Sequence, residues 1–334
     1  MKALLSRQAG GPDTLVLDEV PAPLPGKGEI GVRVLACAIN YPDVLVIEDK
    51  YQFRPARPFA PGSEISAVVD AIGADVTGWN IGDRLMAVIP HGGLAERAIV
   101  EADQAFTLTD RHDALEGAAL LFTYATTLHA LADRGHLREG ETLLVLGAAG
   151  GVGLAAIEIG KAMGATVVAG VSSEAKAEAA RAAGADRVMI YGPGPFDKDG
   201  ARAMAQAFKS AVGPHGADVI YDPVGGDYAE AALRSIAWEG RYLVIGFPAG
   251  IPRMPLNLAL LKSCDIRGVF WGGFVARAPA QNRYNVERLL AWWDDGAIKP
   301  RIDRVYSLAD GPTAIQRLSS RDAIGKVVVQ ISQD

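Results

Sequence analysis

Four apolar residues, Leu143-Leu144-Val145-Leu146, run straight into Gly147-Ala148-Ala149-Gly150-Gly151-Val152-Gly153, and an Ala-rich amphipathic stretch follows at once. A strand, a turn almost without side chains and a helix, in that order, make a place for a pyrophosphate. Backbone amides of such a turn approach phosphate oxygens unhindered, and the helix N-terminus adds free N–H donors and partial positive charge. Against the spacing G-x-G-x-x-G the first position falls on Ala148, a departure, whereas Gly150 and Gly153 keep the second and third. Gly150, Gly151, Val152 and Gly153 are the expected pyrophosphate residues. At the end of the next strand, a site for a free ribose 2′-hydroxyl would carry Asp or Glu. Here the residues are Gly170-Val171-Ser172-Ser173, and the first carboxylate, Glu174, already starts a helix. Ser172, Ser173 and Lys176 instead offer two hydroxyls and an ammonium to a 2′-phosphate, which makes NADPH the expected cofactor. The same serines also suit the N-cap of that helix, with Lys176 a solvated charge.

Positioning these residues takes a regular scaffold. Short β-branched runs over 142–146, 166–170, 187–190, 217–221 and 241–245 alternate with amphipathic stretches over 153–163, 174–183, 202–211 and 228–238. That alternation predicts an α/β fold, a doubly wound parallel sheet. Earlier in the chain, strand-like runs over 15–20, 30–36 and 65–72 are broken by clusters such as Pro21-Ala22-Pro23-Leu24-Pro25-Gly26, which predicts a mostly β segment. After Cys264 come an apolar, Gly-rich stretch, a helix over 281–294 and strands over 301–306 and 326–331. This tail is expected to return to the first domain, giving one domain from 1–120 and 265–334 and a dinucleotide-binding domain over 121–264.

The bulk properties agree with two globular domains: 334 residues, 49% hydrophobic and 22% charged. A net charge of -6, with 33 Lys and Arg spread along the chain, leaves no basic footprint for nucleic acid or an anionic membrane. The N-terminus lacks a signal-peptide core and no stretch is long and apolar enough to span a bilayer, so a cytoplasmic location is expected. Cys37 and Cys264 alone cannot build a disulfide framework or a four-cysteine zinc lobe. His91, His112, His129, His136 and His215 show no metal-binding spacing.

With Asn40-Tyr41-Pro42-Asp43, Pro61-Gly62-Ser63-Glu64, Gly78-Trp79-Asn80-Ile81-Gly82-Asp83-Arg84, the turn above, Ala182-Ala183-Gly184-Ala185-Asp186 and Tyr221-Asp222-Pro223-Val224-Gly225-Gly226 in view, the chain resembles the medium-chain dehydrogenase/reductase superfamily over nearly its whole length. Within it, the chain is most similar to the zinc-free quinone oxidoreductase branch related to zeta-crystallin. The resemblance implies a Rossmann domain inserted in a GroES-like catalytic domain, with the active site in the cleft between them. It further implies Tyr191 beside the adenosine end of the cofactor, and Asn40, Thr127, Phe247, Phe270, Trp271 and Gly272 near the nicotinamide. A homodimer joined through Rossmann-domain edge strands is also implied.

The zinc-dependent alcohol dehydrogenases of the superfamily carry Cys where this chain has Asn40 and His where it has Ser63. An amide and a hydroxyl are poor zinc ligands, so no metal is expected and no Lewis acid is available to polarise an alcohol. Activated acceptors are expected instead. A quinone qualifies because its reduced anion is delocalised, and a donor such as Asn40 or the Tyr51 phenol would suffice. Tyr51 matches a tyrosine that this branch and the related enoyl reductases carry near the substrate, although packing its ring is the plainer role. Asp43 is expected to cap the stretch that follows it. Reduction of an enone or enoyl thioester is the rival chemistry on the same scaffold. A crystallin-like protein that holds NADPH with little turnover is the alternative outside catalysis.

Overall fold

The computed structural model describes residues 1–333. Strands β1 (Lys2–Ser6), β2 (Leu15–Glu19) and β3 (Glu29–Ile39) open the chain, and helix α1 (Tyr41–Ile47) follows β3 after a single residue. Next come β4 (Glu64–Ile72), β5 (Arg84–Val88), β6 (Arg97–Glu101), β7 (Phe106–Thr107), and the short helices α2 (Ala114–Gly117) and α3 (Thr126–Leu128). The βα alternation then runs β8 (Thr142–Val145), α4 (Gly151–Ala162), β9 (Thr166–Val171), α5 (Glu174–Ala182), β10 (Arg187–Ile190), α6 (Lys198–Val212), β11 (Ala217–Asp222), α7 (Asp227–Leu233), β12 (Ile236–Val244), α8 (Leu256–Lys262) and β13 (Asp265–Gly268). The chain ends with α9 (Trp271–Arg277), α10 (Pro279–Asp294), β14 (Ile302–Ser307), α11 (Gly311–Ser319) and β15 (Lys326–Gln330). No helix among the described residues is long and apolar enough to cross a membrane.

Two compact units result. The first comprises residues 1–122 and 300–334, the second residues 123–299. In the first, a sheet of order β14-β15-β3-β4-β5-β7, with β6 also on β3, surrounds a core that includes Ile30, Val32, Val34, Cys37, Ile39, Ile65, Val327 and Val329. Strand β3 is buried on both faces, which is why its sequence reads as a continuous apolar run. A register shift between Val34 and Ala36 reverses its parity, so Val32 and Val34 before it, and Cys37 and Ile39 after it, share one core. Ala36 and Ala38 face the other way and pack with Ala118, Ala119 and Val328.

The second unit is a parallel six-stranded sheet of order β10-β9-β8-β11-β12-β13. The order reverses next to β8, and in open α/β sheets ligands bind at the carboxyl ends beside such a switch. Its core includes Leu144, Val168, Phe208, Ile220 and Tyr242.

Two expectations need correction. Residues 265–299 do not return to the first unit. Asp265–Gly268 pairs in parallel with β12 as a sixth strand, α9 and α10 follow, and the chain passes to the first unit only at Pro300. A four-residue edge strand carrying Asp265 and Arg267 has too little apolar alternation to be seen in sequence. The helix expected over 228–238 ends at Leu233, because Ile236 and Ala237 belong to β12.

Candidate active site

The turn after β8 follows the sequence logic with one adjustment. Gly147 adopts φ +56°, the left-handed conformation that glycine takes without penalty. The residue that turns the chain therefore precedes Ala148, and Ala148 is simply buried, its N–H donated to Gly170 O at 3.0 Å. Gly150 is the N-cap of α4, and Gly151, Val152 and Gly153 form its first turn, where amides lack intrahelical acceptors. Gly153 is there for space. A Cβ on it would lie 2.4 Å from Gly147 O and 2.7 Å from Ala148 Cα, both backbone atoms.

A second layer braces the turn. The Gly147 N–H donates to the Tyr191 hydroxyl at 3.0 Å, and the Tyr191 ring lies over Gly170, where a Cβ would meet it at 2.9 Å. Tyr191 is buried, and burial keeps its phenol protonated well past the usual range. Thr127 is also fully buried. Its hydroxyl donates to Thr123 O at 2.7 Å, with Val152 O farther off at 3.5 Å, so it accepts from the Tyr221 hydroxyl at 2.8 Å. The structure thus gives Tyr191 and Thr127 supporting places behind the turn and α4. Asp222, which sequence reasoning missed, closes the loop after β11. Its Oδ1 accepts the N–H groups of Val224 and Gly225 at 2.8 and 2.9 Å.

At the end of β9, Ser173 takes the N-cap of α5, its Oγ accepting the Lys176 N–H at 3.4 Å. Ser172 and Lys176 come together instead, with Nζ 3.1 Å from Ser172 Oγ. Glu174, the nearest carboxylate, pairs with Arg181 at 2.7 Å. A hydroxyl and an ammonium on an exposed strand end, with the local carboxylate engaged elsewhere, suit an added phosphate. Phe247 and Phe270 follow β12 and β13 and are exposed, as is Gly272, whereas the Trp271 indole is held by Asn282 Oδ1 at 3.0 Å.

Glu158, on the buried side of α4, receives the Tyr124 hydroxyl at 2.7 Å and the Lys299 N–H at 3.1 Å on one oxygen, and burial pushes its carboxyl up to about 7.

In the first unit, Asn40 is the N-cap residue of α1 and is buried. Its backbone N–H donates to Asp43 Oδ2 at 2.7 Å, the capping role expected of Asp43. Its amide nitrogen donates to Glu64 Oε2 at 2.9 Å and, more weakly, to Ala38 O at 3.4 Å, while its amide oxygen accepts from Lys326 Nζ at 2.6 Å. Both amide protons are committed, so Asn40 has none to offer a substrate in this geometry. Tyr51 differs. It is half-buried, and among the described residues its hydroxyl has no hydrogen-bond partner. Burial and then the Asp43 carboxylate raise its pKa above the ordinary phenol value, so it stays protonated at neutral pH.

A family model described as an alcohol dehydrogenase GroES-like domain matches residues 26–110, and one described as a zinc-binding dehydrogenase matches residues 151–292. Quinone oxidoreductase-like protein 2 of Bos taurus is 34% identical over 320 residues, covering 95% of this chain and 89% of its own. A mycobacterial protein solved in complex with NADPH superposes with a TM-score of 0.91 at 28% identity, over 99% of this chain and 100% of that one. The Escherichia coli quinone oxidoreductase complexed with NADPH gives 0.89 at 25% identity, over 99% and 100%.

Gly153→Ala tests the turn. Backbone atoms cannot withdraw from the added methyl, so dinucleotide affinity should fall by about tenfold or more, read by calorimetric titration. Wild-type affinity in that variant would show that the turn has room to spare.

Proposed function

The chain belongs to the quinone oxidoreductase-like branch of the medium-chain dehydrogenase/reductase superfamily, and we propose that it reduces a quinone-type conjugated acceptor with NADPH and without zinc. It is an oxidoreductase. NADPH, when bound, supplies the hydride; the protein must hold the dinucleotide, place the acceptor and meet the charge that develops on the acceptor oxygen.

The residues present fit the dinucleotide. Gly147 and Gly153 let the backbone come close to a pyrophosphate, the first turn of α4 offers its N–H groups, and Ser172 with Lys176 offers a hydroxyl and an ammonium to the 2′-phosphate. Phe247, Phe270, Trp271 and Gly272 are assigned to the nicotinamide end on resemblance, and the carboxyl-end position of β12 and β13 is compatible with that.

The observation that carries the acceptor chemistry is the unpartnered Tyr51 hydroxyl, half-buried and within reach of the Asp43 charge. A neutral phenol stabilises a developing oxyanion by donating a hydrogen bond, and a quinone needs no more, because its reduced form takes up its protons from water. Asn40 then serves as scaffold for Tyr51 rather than as donor. A cytoplasmic homodimer completes the proposal. Strand β13 is a sheet edge, and on α8, beside β12, Leu256, Leu260 and Leu261 are 72%, 79% and 64% exposed. Sedimentation equilibrium should report a dimer; a monomer at micromolar concentration would remove that part of the proposal.

Lys176→Ala removes a charge-assisted contact worth about 1.5 to 3 kcal/mol, so NADPH should bind about one to two decades more weakly while NADH binding changes little. Equal losses for both would take Lys176 out of the 2′-phosphate site. Tyr51→Phe should lower kcat/KM for a quinone by only about 0.5 to 1.5 kcal/mol, the worth of one hydrogen bond. Steady-state kinetics with one quinone and one enone decides the chemistry. A loss of roughly 10²-fold in kcat confined to the enone would mean that the phenol acts as a general acid, and that enone reduction is the evolved activity.

A further inference from the structure

Strand register brings three polar residues from distant parts of the first unit to the end of β3. On one side Ala38 is opposite Glu64, the first residue of β4; on the other Ile39 is opposite Val327, the second residue of β15. Asn40, Glu64 and Lys326 therefore meet, and they are 4%, 0% and 4% exposed. Lys326 Nζ lies 2.6 Å from Asn40 Oδ1 and 2.8 Å from Glu64 Oε2. Glu64 Oε2 also receives the Asn40 amide, and Glu64 Oε1 receives the Phe122 N–H at 2.7 Å. Because the carbonyl end of Asn40 meets an ammonium and its NH₂ end meets a carboxylate, the amide has one allowed orientation.

Zinc does not fit this set, although one of the matching family models is described as zinc-binding. The two positions that carry thiolate and imidazole ligands in zinc-dependent members are Asn40 and Ser63, and the Asn40 oxygen already faces a cation. The neighbouring Cys37 thiol is held protonated, chiefly by burial. Among the described residues no group of three or more His, Cys, Asp or Glu could hold a metal.

We propose that Lys326 acts as a crosslink within the first unit: its ammonium ties β15 to β4 and to the β3–α1 junction, and so positions the first turn of α1 and the Tyr51 that follows it. This inference rests on the reading of Tyr51 as the donor. The tie continues through the backbone, since Asn40 N–H holds Asp43 Oδ2. It continues through charge as well. Asp43 is pushed up to about 6 by burial and by the Glu64 charge, and is held down by the N–H groups of Asn40 and Gly62 and by the Lys326 charge, while Asp43 in turn acts on Tyr51. Lys326 is thus a positioning residue, with no contact of its own to an acceptor.

Two variants separate positioning from bare stability. Lys326→Met strands the Glu64 carboxylate, whereas Lys326→Met with Glu64→Gln removes both charges and relieves that penalty. In both, NADPH binding should stay within about twofold of wild type, because that site is built by the second unit. In both, kcat and kcat/KM with a quinone should fall by about two- to tenfold, no more than the loss that Tyr51→Phe itself produces, with KM for NADPH little changed. Hydrogen–deuterium exchange of the amides over 41–47 should be faster in both. A double variant that regains wild-type kcat and slow exchange would overturn the inference, leaving the ion pair a matter of folding alone. So would one zinc per chain in the wild-type protein by elemental analysis. If the wild type reduces neither a quinone nor an enone, the functional reading fails, and exchange over 41–47 alone then decides whether Lys326 holds α1.

Discussion

A carboxylate with no solvent exposure must find its donors within the protein, and Glu64 finds them on segments that are remote in sequence: the Asn40 amide, the Lys326 ammonium and the Phe122 N–H. Much of the first unit follows from that requirement. Glu64 starts β4 and Lys326 starts β15, so satisfying the carboxylate sets where the two strands that flank the end of β3 begin. A buried ion pair contributes little net stability compared with apolar packing of the same volume, but losing one partner is costly. What it supplies here is register: the Asn40 amide, α1 and the approach to Tyr51 are fixed by atoms that tolerate no slippage.

The second unit solves a different problem. Its turn must leave backbone amides open toward a ligand and yet stay in one shape without one. Polar side chains beneath it take over: Tyr191 holds the Gly147 N–H, Asp222 holds Val224 and Gly225, and the Thr127–Tyr221 pair sits buried behind α4. Each is buried with its hydrogen bonds made, so the unit keeps a preformed surface at the carboxyl ends of β8, β9 and β11.

How much of this was legible depended on the range of each interaction. The glycine turn, the Ser173 cap and the Ser172–Lys176 pair are local, formed within a few residues, and the sequence displays them. The βα alternation is legible because each element is long enough to show its period. Strand β13 is not, having four residues and two charges. Nor was the role of Lys326. A lysine at the start of Val327-Val328-Val329 reads as a solvated strand end, and its partners stand 286 and 262 residues earlier. The same blindness to distant partners hid the engagement of Asn40 with Glu64 and Lys326, of Thr127 with Tyr221 and of Tyr191 with the Gly147 N–H. Gly147 is legible as the turning residue from its position directly after the apolar run, a signal separate from the motif spacing.

The Glu158 carboxylate has an implication for how such a chain can be assembled. One of its oxygens receives both the Tyr124 hydroxyl and the Lys299 N–H, groups beside the entry and the exit of the second unit. An insertion whose two ends are gathered on a single side chain asks its host to close only a short gap, whatever the length of chain between, and loop-closure entropy grows slowly in any case. The nucleotide-binding unit is in this sense a cassette with its own clasp.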